Sequence, residues 1–143
     1  MVWRRVAEQA AWCPRDSMGE IVFGGRMWML GGYTPVRLND VWCSQDGANW
    51  SQLVGRAAWR ERNLPCALAF DDQMWLFGGF HTSKTDPCND VWSSADGVSW
   101  TGHQAPWPTR HEPGCLVHDG KLWFFGGYGN VLYNDVWVHE KPG

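Results

Sequence analysis

A repeat of about 48 residues constrains this sequence more than any other feature. Trp12, Trp59 and Trp107 are spaced by 47 and 48 residues. Each is followed three residues later by an arginine, thirteen residues after that by a second tryptophan, and three residues further on by a Gly-Gly pair. The string "NDVW" then follows at residues 39–42, 89–92 and 134–137. Self-similarity at a fixed period is typical of repeat architectures, so the chain is interpreted as three copies of one unit.

The twelve tryptophans fall four to a repeat, but one of them lies at the far end of the chain. In the first two repeats, the tryptophan of "NDVW" is followed eight residues later by another tryptophan. After Trp137 only six residues remain, and Trp3 is the third residue, so joining the two ends would give a spacing of nine. The sequence therefore contains a circularly complete set of three repeats, and a single domain is predicted over residues 1–143.

Each repeat predicts four short β-strands separated by turns. A run of small and apolar residues follows each arginine, then comes "MWML", "MWLF" or "LWFF", then "NDVW", and then the segment around the fourth tryptophan. Asp46-Gly47 and Asp96-Gly97 predict tight hairpin turns, because Asp-Gly accepts the positive φ that primed turns need. No segment has a helical period, so the chain is expected to be all-β.

Charge, composition and cysteine usage narrow the classes of partner and location. The formal net charge is −3 without a block of like charges, so neither nucleic acid nor an anionic membrane is an expected partner. The start, "MVWRRVAEQAAW", has no apolar signal-peptide core, and no stretch reaches the roughly 20 apolar residues of a membrane span. The five cysteines include no C-x-x-C pair, which favours reduced thiols in a cytoplasmic protein. No phosphate-binding loop or metal-ligand spacing appears, so neither a cofactor nor a metal site is expected.

The repeat as a whole resembles kelch repeats over essentially the full chain. The matching features are the strand with Gly-Gly, the "NDVW" third strand, the tryptophan of the fourth strand and the arginine before the first strand. The resemblance implies a β-propeller built from four-stranded blades. Blade 1 is then expected at residues 15–55, blade 2 at residues 62–105 and blade 3 at residues 110–140, with an additional outer strand at residues 1–8.

Three blades imply a partner, because propellers typically close with four to eight blades. Three blades alone would form an arc with apolar flanks and open strand edges, which stable proteins cover. Two chains would close a six-bladed ring in which residues 1–8 of each chain complete the third blade of the other. We therefore expect a homodimer with exchanged strands and an interface on the order of 2,000 Å² or more. The alternative is an excised part of a longer propeller.

The arginines before the first strand of each blade are the main candidates for ligand binding. They are Arg15, Arg62 and Arg110. In kelch proteins that bind acidic peptides, arginines at this position contact ligand carboxylates, and the resemblance implies the same role here. The alternative is that each arginine pairs with the aspartate of an "NDVW" string and only ties the blades together. Most of the tryptophans are interpreted as structural, because each occupies a fixed place in the repeat.

Departures from the repeat add further candidates. The loop after Gly-Gly has nine residues in the second repeat, "FHTSKTDPC", and six in the others. Antiparallel connections place this loop on the side of the arginines, so His81, Lys84 and Asp86 are expected to overhang the funnel mouth. His111, which follows Arg110, adds another polar group there. Glu20 stands where the other repeats have alanine and cysteine, and it is the one candidate catalytic residue.

Three functions are compatible with these residues. The favoured one is a binding module that presents the arginines and the variable loops to an acidic small molecule, glycan or peptide. The second is an enzyme, because some bacterial kelch propellers interconvert sugar anomers, and Glu20 would then be the general base. The third is an architectural unit without an evolved ligand. The sequence does not decide whether the protein is an enzyme, but it favours a binding module.

Overall fold

The protein consists of short β-strands in three antiparallel sheets. The structure, a computed structural model, describes residues 1–81 and 88–140. The strands are β1 (Gly19–Phe23), β2 (Arg26–Tyr33), β3 (Arg37–Ser44), β4 (Ser51–Val54), β5 (Cys66–Phe70), β6 (Gln73–Phe77), β7 (Asp90–Ser94), β8 (Thr101–Gln104), β9 (Gly114–His118), β10 (Lys121–Phe125) and β11 (Val136–His139). The prediction of an all-β chain is confirmed for these residues. None of them belongs to a helix with the length and apolar character that crossing a bilayer requires.

The three sheets follow one another along the chain and repeat one register. Their strand orders are β1-β2-β3-β4, β5-β6-β7-β8 and β9-β10-β11, and we call them blades 1, 2 and 3. Trp28 lies opposite Ile21, Trp75 lies opposite Leu68, and blade 3 keeps the same pairing. The third blade has three strands, because the described chain supplies no fourth strand after β11. The sequence predicted this difference from the position of Trp3.

The hairpin between the first two strands of each blade is a two-residue turn. In blade 2 it is formed by Asp71 and Asp72, whose φ angles are 52° and 53°. In blade 1 it is formed by Gly24 and Gly25, with φ angles of 57° and 70°. Positive φ at both central residues is the geometry whose twist matches that of the flanking strands. These hairpins therefore fix the register between the inner two strands.

The two Asp-Gly loops are longer than the tight turns that the sequence predicted. Residues 45–50 connect β3 to β4, and φ at Gly47 is positive, at 76°. The Asp46 carboxylate accepts hydrogen bonds from the backbone N–H groups of Asn49 and Ala48, at 2.8 and 2.9 Å. These hydrogen bonds lower the pKa of Asp46 to about 2. The carboxylate thus caps the backbone N–H groups of this loop. In blade 2, Asp96 accepts the equivalent hydrogen bonds from Val98 and Ser99.

The apolar cores lie between neighbouring blades. Between blades 1 and 2, Leu30 and Val41 pack with Met74 and Leu76, and all four are fully buried. A second cluster, which includes Phe124, fills the space between blades 2 and 3. The inner strands β1, β5 and β9 lie side by side in chain order. Three small antiparallel sheets that pack face to face in this way are consistent with propeller-like blades.

A disulfide joins Cys66 to Cys115 and corrects the expectation of reduced cysteines. It links β5 to β9, the inner strands of blades 2 and 3, across 49 residues of sequence. Cys13, Cys43 and Cys88 are free thiols. The sequence-based expectation relied on the absence of a C-x-x-C pair. It was wrong because the packing of blade 2 on blade 3, and not local spacing, brings the two cysteines together.

Candidate functional site

One end of the blades, which we call the mouth, is built from two kinds of connection. These are the loops that follow Gly-Gly and the segments that lead into the first strand of each blade. In blade 2 the N–H of Asn63 donates to the carbonyl of Phe80 at 3.2 Å. In blade 3 the N–H of His111 donates to the carbonyl of Tyr128 at 2.9 Å, and blade 1 repeats the pairing. The residue after each arginine is thus held beside the residue after each Gly-Gly.

Arg62 illustrates the arrangement that the three candidate arginines share. Its Nη1 and Nη2 atoms donate to Oδ1 and Oδ2 of Asp90 at 2.6 and 2.8 Å. Nη1 also donates to the carbonyl of Gly78 at 2.7 Å, and Nε donates to the carbonyl of Arg60 at 3.1 Å. Trp92 Nε1 donates to Asp90 Oδ2 at 2.7 Å. The carboxylate therefore binds both the guanidinium and an indole of its own blade.

The same three-residue unit recurs in the other blades. The equivalent units are Arg15–Asp40–Trp42 and Arg110–Asp135–Trp137. The three arginine side chains are at most 1% exposed. Hydrogen bonds from Arg110 hold the pKa of Asp135 down at about 2. Desolvation opposes ionisation of Asp90, but the hydrogen bonds from Arg62 still leave its pKa below the ordinary value.

These contacts decide what the arginines do in the folded chain. Each guanidinium forms a bidentate ion pair with the aspartate of "NDVW", as in the structural alternative considered above. A ligand carboxylate would have to displace that aspartate from a buried guanidinium, which is costly. Direct ligand contact by Arg15, Arg62 and Arg110 stays a prediction.

A strip of aromatic and cationic side chains crosses the mouth from blade 1 to blade 3. This mouth strip consists of Tyr33, Arg37, Phe80, His111 and Tyr128. The Arg37 guanidinium carbon lies 4.5 Å from the ring centroid of Phe80 and 5.4 Å from that of Tyr33. The His111 ring meets both Phe80 and Tyr128 edge to face, with centroids 5.4 Å apart in each case. The strip therefore links all three blades through cation–π and aromatic contacts.

Sequence reasoning did not single out Arg37. Its equivalents in the repeat are Pro87 and Leu132, so it is a departure from the pattern of the same kind as Glu20. Its Nε donates to Oδ1 of Asn63 at 2.8 Å, which fixes the side chain across the boundary between blades 1 and 2. The signal that would have identified it is a lone cation at an otherwise uncharged repeat position.

A pocket of about 300 Å³ opens beside the strip between blades 2 and 3. Its lining includes Phe80, His81, Arg110, His111, Tyr128 and Asn130. His81 Nε2 lies 3.8 Å from a carboxylate oxygen of Glu61, and His111 Nδ1 lies 3.1 Å from one of Glu112. The structure thus brings three predicted site residues to one pocket. Lys84 and Asp86, also predicted at the mouth, lie outside the described residues.

Glu20 lies on the face of blade 1 that is turned away from blade 2, and not in the mouth. It shares a shallow patch with Trp12, Met27 and Trp50, and the other residues of this patch carry no titratable group. Partial burial raises the pKa of the Glu20 carboxyl. Among the described residues, this patch provides no acid–base partner for Glu20, so the structure adds no support to a general-base role.

Within residues 1–81 and 88–140, no group of three or more histidine, cysteine, aspartate or glutamate side chains is arranged to hold a metal ion. No known family model matches this sequence, and no curated protein matches it.

Proposed function

We propose that this chain is half of a kelch-type β-propeller and that two copies close a six-bladed ring, which serves as a binding module. The kelch-like repeat supports this proposal, as does the packing of three small sheets through inner strands β1, β5 and β9. The ring would be a homodimer with exchanged outer strands.

Two apolar sheet faces have no neighbour within the described chain. The blade-1 flank consists of Trp12, Val22, Met27 and Trp50. The blade-3 flank consists of Leu116, Trp123, Phe125 and Val136. Faces of this kind are buried in stable proteins, because apolar surface gains about 25 cal/mol per Å² when it leaves water.

The observation that carries the proposal is the exposure of repeat-equivalent residues. The valine of "NDVW" is 0% exposed at Val41 and 5% exposed at Val91, where a neighbouring blade covers it, but 64% exposed at Val136. Ile21 is 5% exposed, whereas its equivalent Leu116 is 43% exposed. The blade-3 flank therefore has the chemistry of a blade–blade interface and lacks only the next blade.

The missing neighbour has the chemistry of the blade-1 flank. Met27 occupies the repeat position of Met74, which is fully buried against blade 1. The blade-3 flank is in turn the equivalent of the face of blade 1 that covers Met74. The blade-1 flank of a second copy thus fits the blade-3 flank of the first, and a two-fold axis makes the same contact twice.

The first residues of the chain provide a second reason to propose the ring. Within its own chain, the segment at residues 1–8 forms no strand, and Trp3 is 88% exposed. Blade 3 lacks the outer strand that would pair with β11. Insertion of residues 1–8 beside β11 of the partner would pair an open strand edge and bury Trp3 as Trp100 is buried.

We further propose that the ring binds an acidic small molecule, glycan or peptide at the mouth strip. The cation of Arg37 and the imidazole of His111 stand beside aromatic rings there, which is a surface suited to an anion with a flat or apolar part. The pocket between blades 2 and 3 offers the adjoining concave space. Arg15, Arg62 and Arg110 would then hold the mouth in shape through their aspartates.

Solution mass tests the ring. Sedimentation equilibrium of the full chain is expected to give twice the 16.3 kDa of one chain. Removal of residues 1–8 is expected to weaken the dimer, because both exchanged strands are lost. A stable, folded species of 16.3 kDa for the full chain would contradict the proposal.

A ligand titration tests the mouth. Sialic acids and other acidic sugars are the probes, and binding is measured by calorimetry at two salt concentrations. Arg37→Ala is expected to weaken binding about tenfold or more, whereas Arg26→Ala, in the hairpin at the opposite end of blade 1, is the matched control. If the two substitutions weaken binding equally, the ligand does not bind at the mouth strip.

A further inference from the structure

The inner strands of neighbouring blades meet at a contact that recurs in the chain, which we call a seam. In the first seam, a Cβ atom placed on Gly19 would lie 3.1 Å from Cβ of Ala67. In the second seam, Cys66 is bonded to Cys115, with 6.3 Å between their Cα atoms. In both cases the first residue of one inner strand meets the second residue of the next.

The repeat extends this rule to a third seam, which a single chain does not contain. The first residue of β9 is Gly114, and the second residue of β1 is Glu20. We infer that in the assembled protein Glu20 of each copy lies against Gly114 of the other copy. This inference rests on the proposed ring and adds to it the register in which the two flanks meet.

The sizes of the paired residues agree with this register. The first seam pairs glycine with alanine, and the second pairs two cysteines. The third would pair the longest of the six side chains with a residue that has none, so the stem of Glu20 has space beside the partner's backbone. Glu20 is exposed in the single chain, so its side chain is accessible for a contact with a second copy.

Phe125 must turn for the third seam to close. In the single chain its ring lies within 2.3–2.9 Å of where a Cβ atom of Gly114 would be. Phe77, the equivalent ring opposite Cys66, is 2% exposed and leaves space for that side chain. Phe125 is 37% exposed and has no blade beside it. A partner blade would hold it as blade 3 holds Phe77.

Engineered cysteines test this register directly. The pair Glu20→Cys and Gly114→Cys, introduced together into the full chain, is expected to form covalent dimers under oxidised glutathione. A disulfide needs Cβ atoms about 3.5–4.5 Å apart. The control pair Val22→Cys and Gly114→Cys moves one thiol two residues along the same face, about 7 Å away, and is expected not to form the bond. Non-reducing gel electrophoresis separates the products.

A second measurement keeps Gly114 intact. The thiol of Glu20→Cys alone is expected to react with iodoacetamide at least about tenfold more slowly than that of Val98→Cys, which lies in an outer loop. Equal rates would overturn the inference, as would a dimeric wild type whose Glu20→Cys and Gly114→Cys pair fails to cross-link. A wild type that is monomeric by mass would instead overturn the ring itself.

Discussion

At the scale of residues, the buried Arg–Asp–Trp unit recurs in all three blades. Arg62 brings a charge into a fully buried position, and such a charge is tolerated only when it is paired and hydrogen-bonded. Asp90 and the carbonyls of Gly78 and Arg60 supply these partners. The unit ties the segment before β5 to β6 and β7, so each blade is closed by its own ion pair.

The substitution Arg62→Ala is expected to lower the free energy of unfolding by about 3 kcal/mol, because Asp90 loses its partner in a partly buried site. Arg56→Ala is the matched control. The Arg56 side chain is 82% exposed and pairs with Glu61 at 3.1 Å, so its loss is expected to cost about 0.5 kcal/mol. Urea denaturation at one protein concentration measures both. Equal costs would show that the buried pair contributes no more than a surface one.

The stability of the protein is expected to fall in acid. Hydrogen bonds from Arg110 lower the pKa of Asp135 to about 2, below its unfolded value near 3.8. A lowered folded-state pKa contributes stability that is present above pH 4 and is lost as pH falls towards 2. Urea denaturation at pH 7, 4, 3 and 2 measures this loss.

Asp135→Asn is expected to flatten the acid profile and to lower stability at pH 7. Asp119→Asn, in the exposed turn between β9 and β10, is the control and is expected to leave the profile unchanged. An Asp135→Asn profile as steep as that of the wild type would contradict the assignment.

The role of a residue was predictable from the sequence where the same residue type recurs at the same position of every repeat. The structural use of the tryptophans is an example, since Trp28, Trp75 and Trp123 each donate an indole N–H to the end of the preceding strand. The pairing of each arginine with an aspartate was one of two open alternatives. Arg37 was not predicted, because its contacts with Phe80 depend on how two blades pack.

At the scale of elements, a disulfide cross-links β5 of blade 2 to β9 of blade 3. It closes a loop of 49 residues between Cys66 and Cys115. Cross-linking of this kind restricts the unfolded chain and commonly contributes about 2–4 kcal/mol. In the first seam β1 packs against β5 with Gly19 and Ala67 at the equivalent positions and without a disulfide, so inner strands also pack side by side where no such bond joins them.

The double substitution Cys66→Ala and Cys115→Ala is therefore expected to keep the fold and to reduce the free energy of unfolding by about 2–4 kcal/mol. A reducing agent is expected to produce a similar loss in the wild type and none in the double variant. Cys13→Ser, at an exposed free thiol, is the control. Calorimetry with and without the reductant gives both values, and a wild type insensitive to reduction would count against the bond.

Strand order was predictable from hydrophobic pattern and turn residues, but the lengths of the connections were not. The Asp-Gly loops are longer than two residues, and in the first of them the Asp46 carboxylate accepts hydrogen bonds from two backbone N–H groups of the loop. The link between cysteines 49 residues apart depends on packing between sheets, which one-dimensional spacing does not report.

At the scale of the whole molecule, the repeat predicts an assembly that is larger than the single chain. Three blades, two free flanks and an incomplete third sheet follow from the circular arrangement of the tryptophans. The flanks have the composition of the interfaces inside the chain. What the sequence leaves open is which residues would meet across the flanks in the proposed ring, because that register is inferred from the inner-strand seams of the packed blades.

A charged residue introduced into the blade-3 flank tests whether a partner blade covers that flank. In the proposed ring Val136 is covered by a partner blade, and an unpaired carboxylate buried there would cost several kcal/mol. Val136→Asp is expected to raise the dimer dissociation constant at least about 100-fold. Val98→Asp is the control, because Val98 is 51% exposed but lies in the loop between β7 and β8, away from both flanks. Sedimentation velocity over a dilution series measures both. If Val136→Asp sediments as the wild type does, the flank is not covered and the chain does not form the proposed ring.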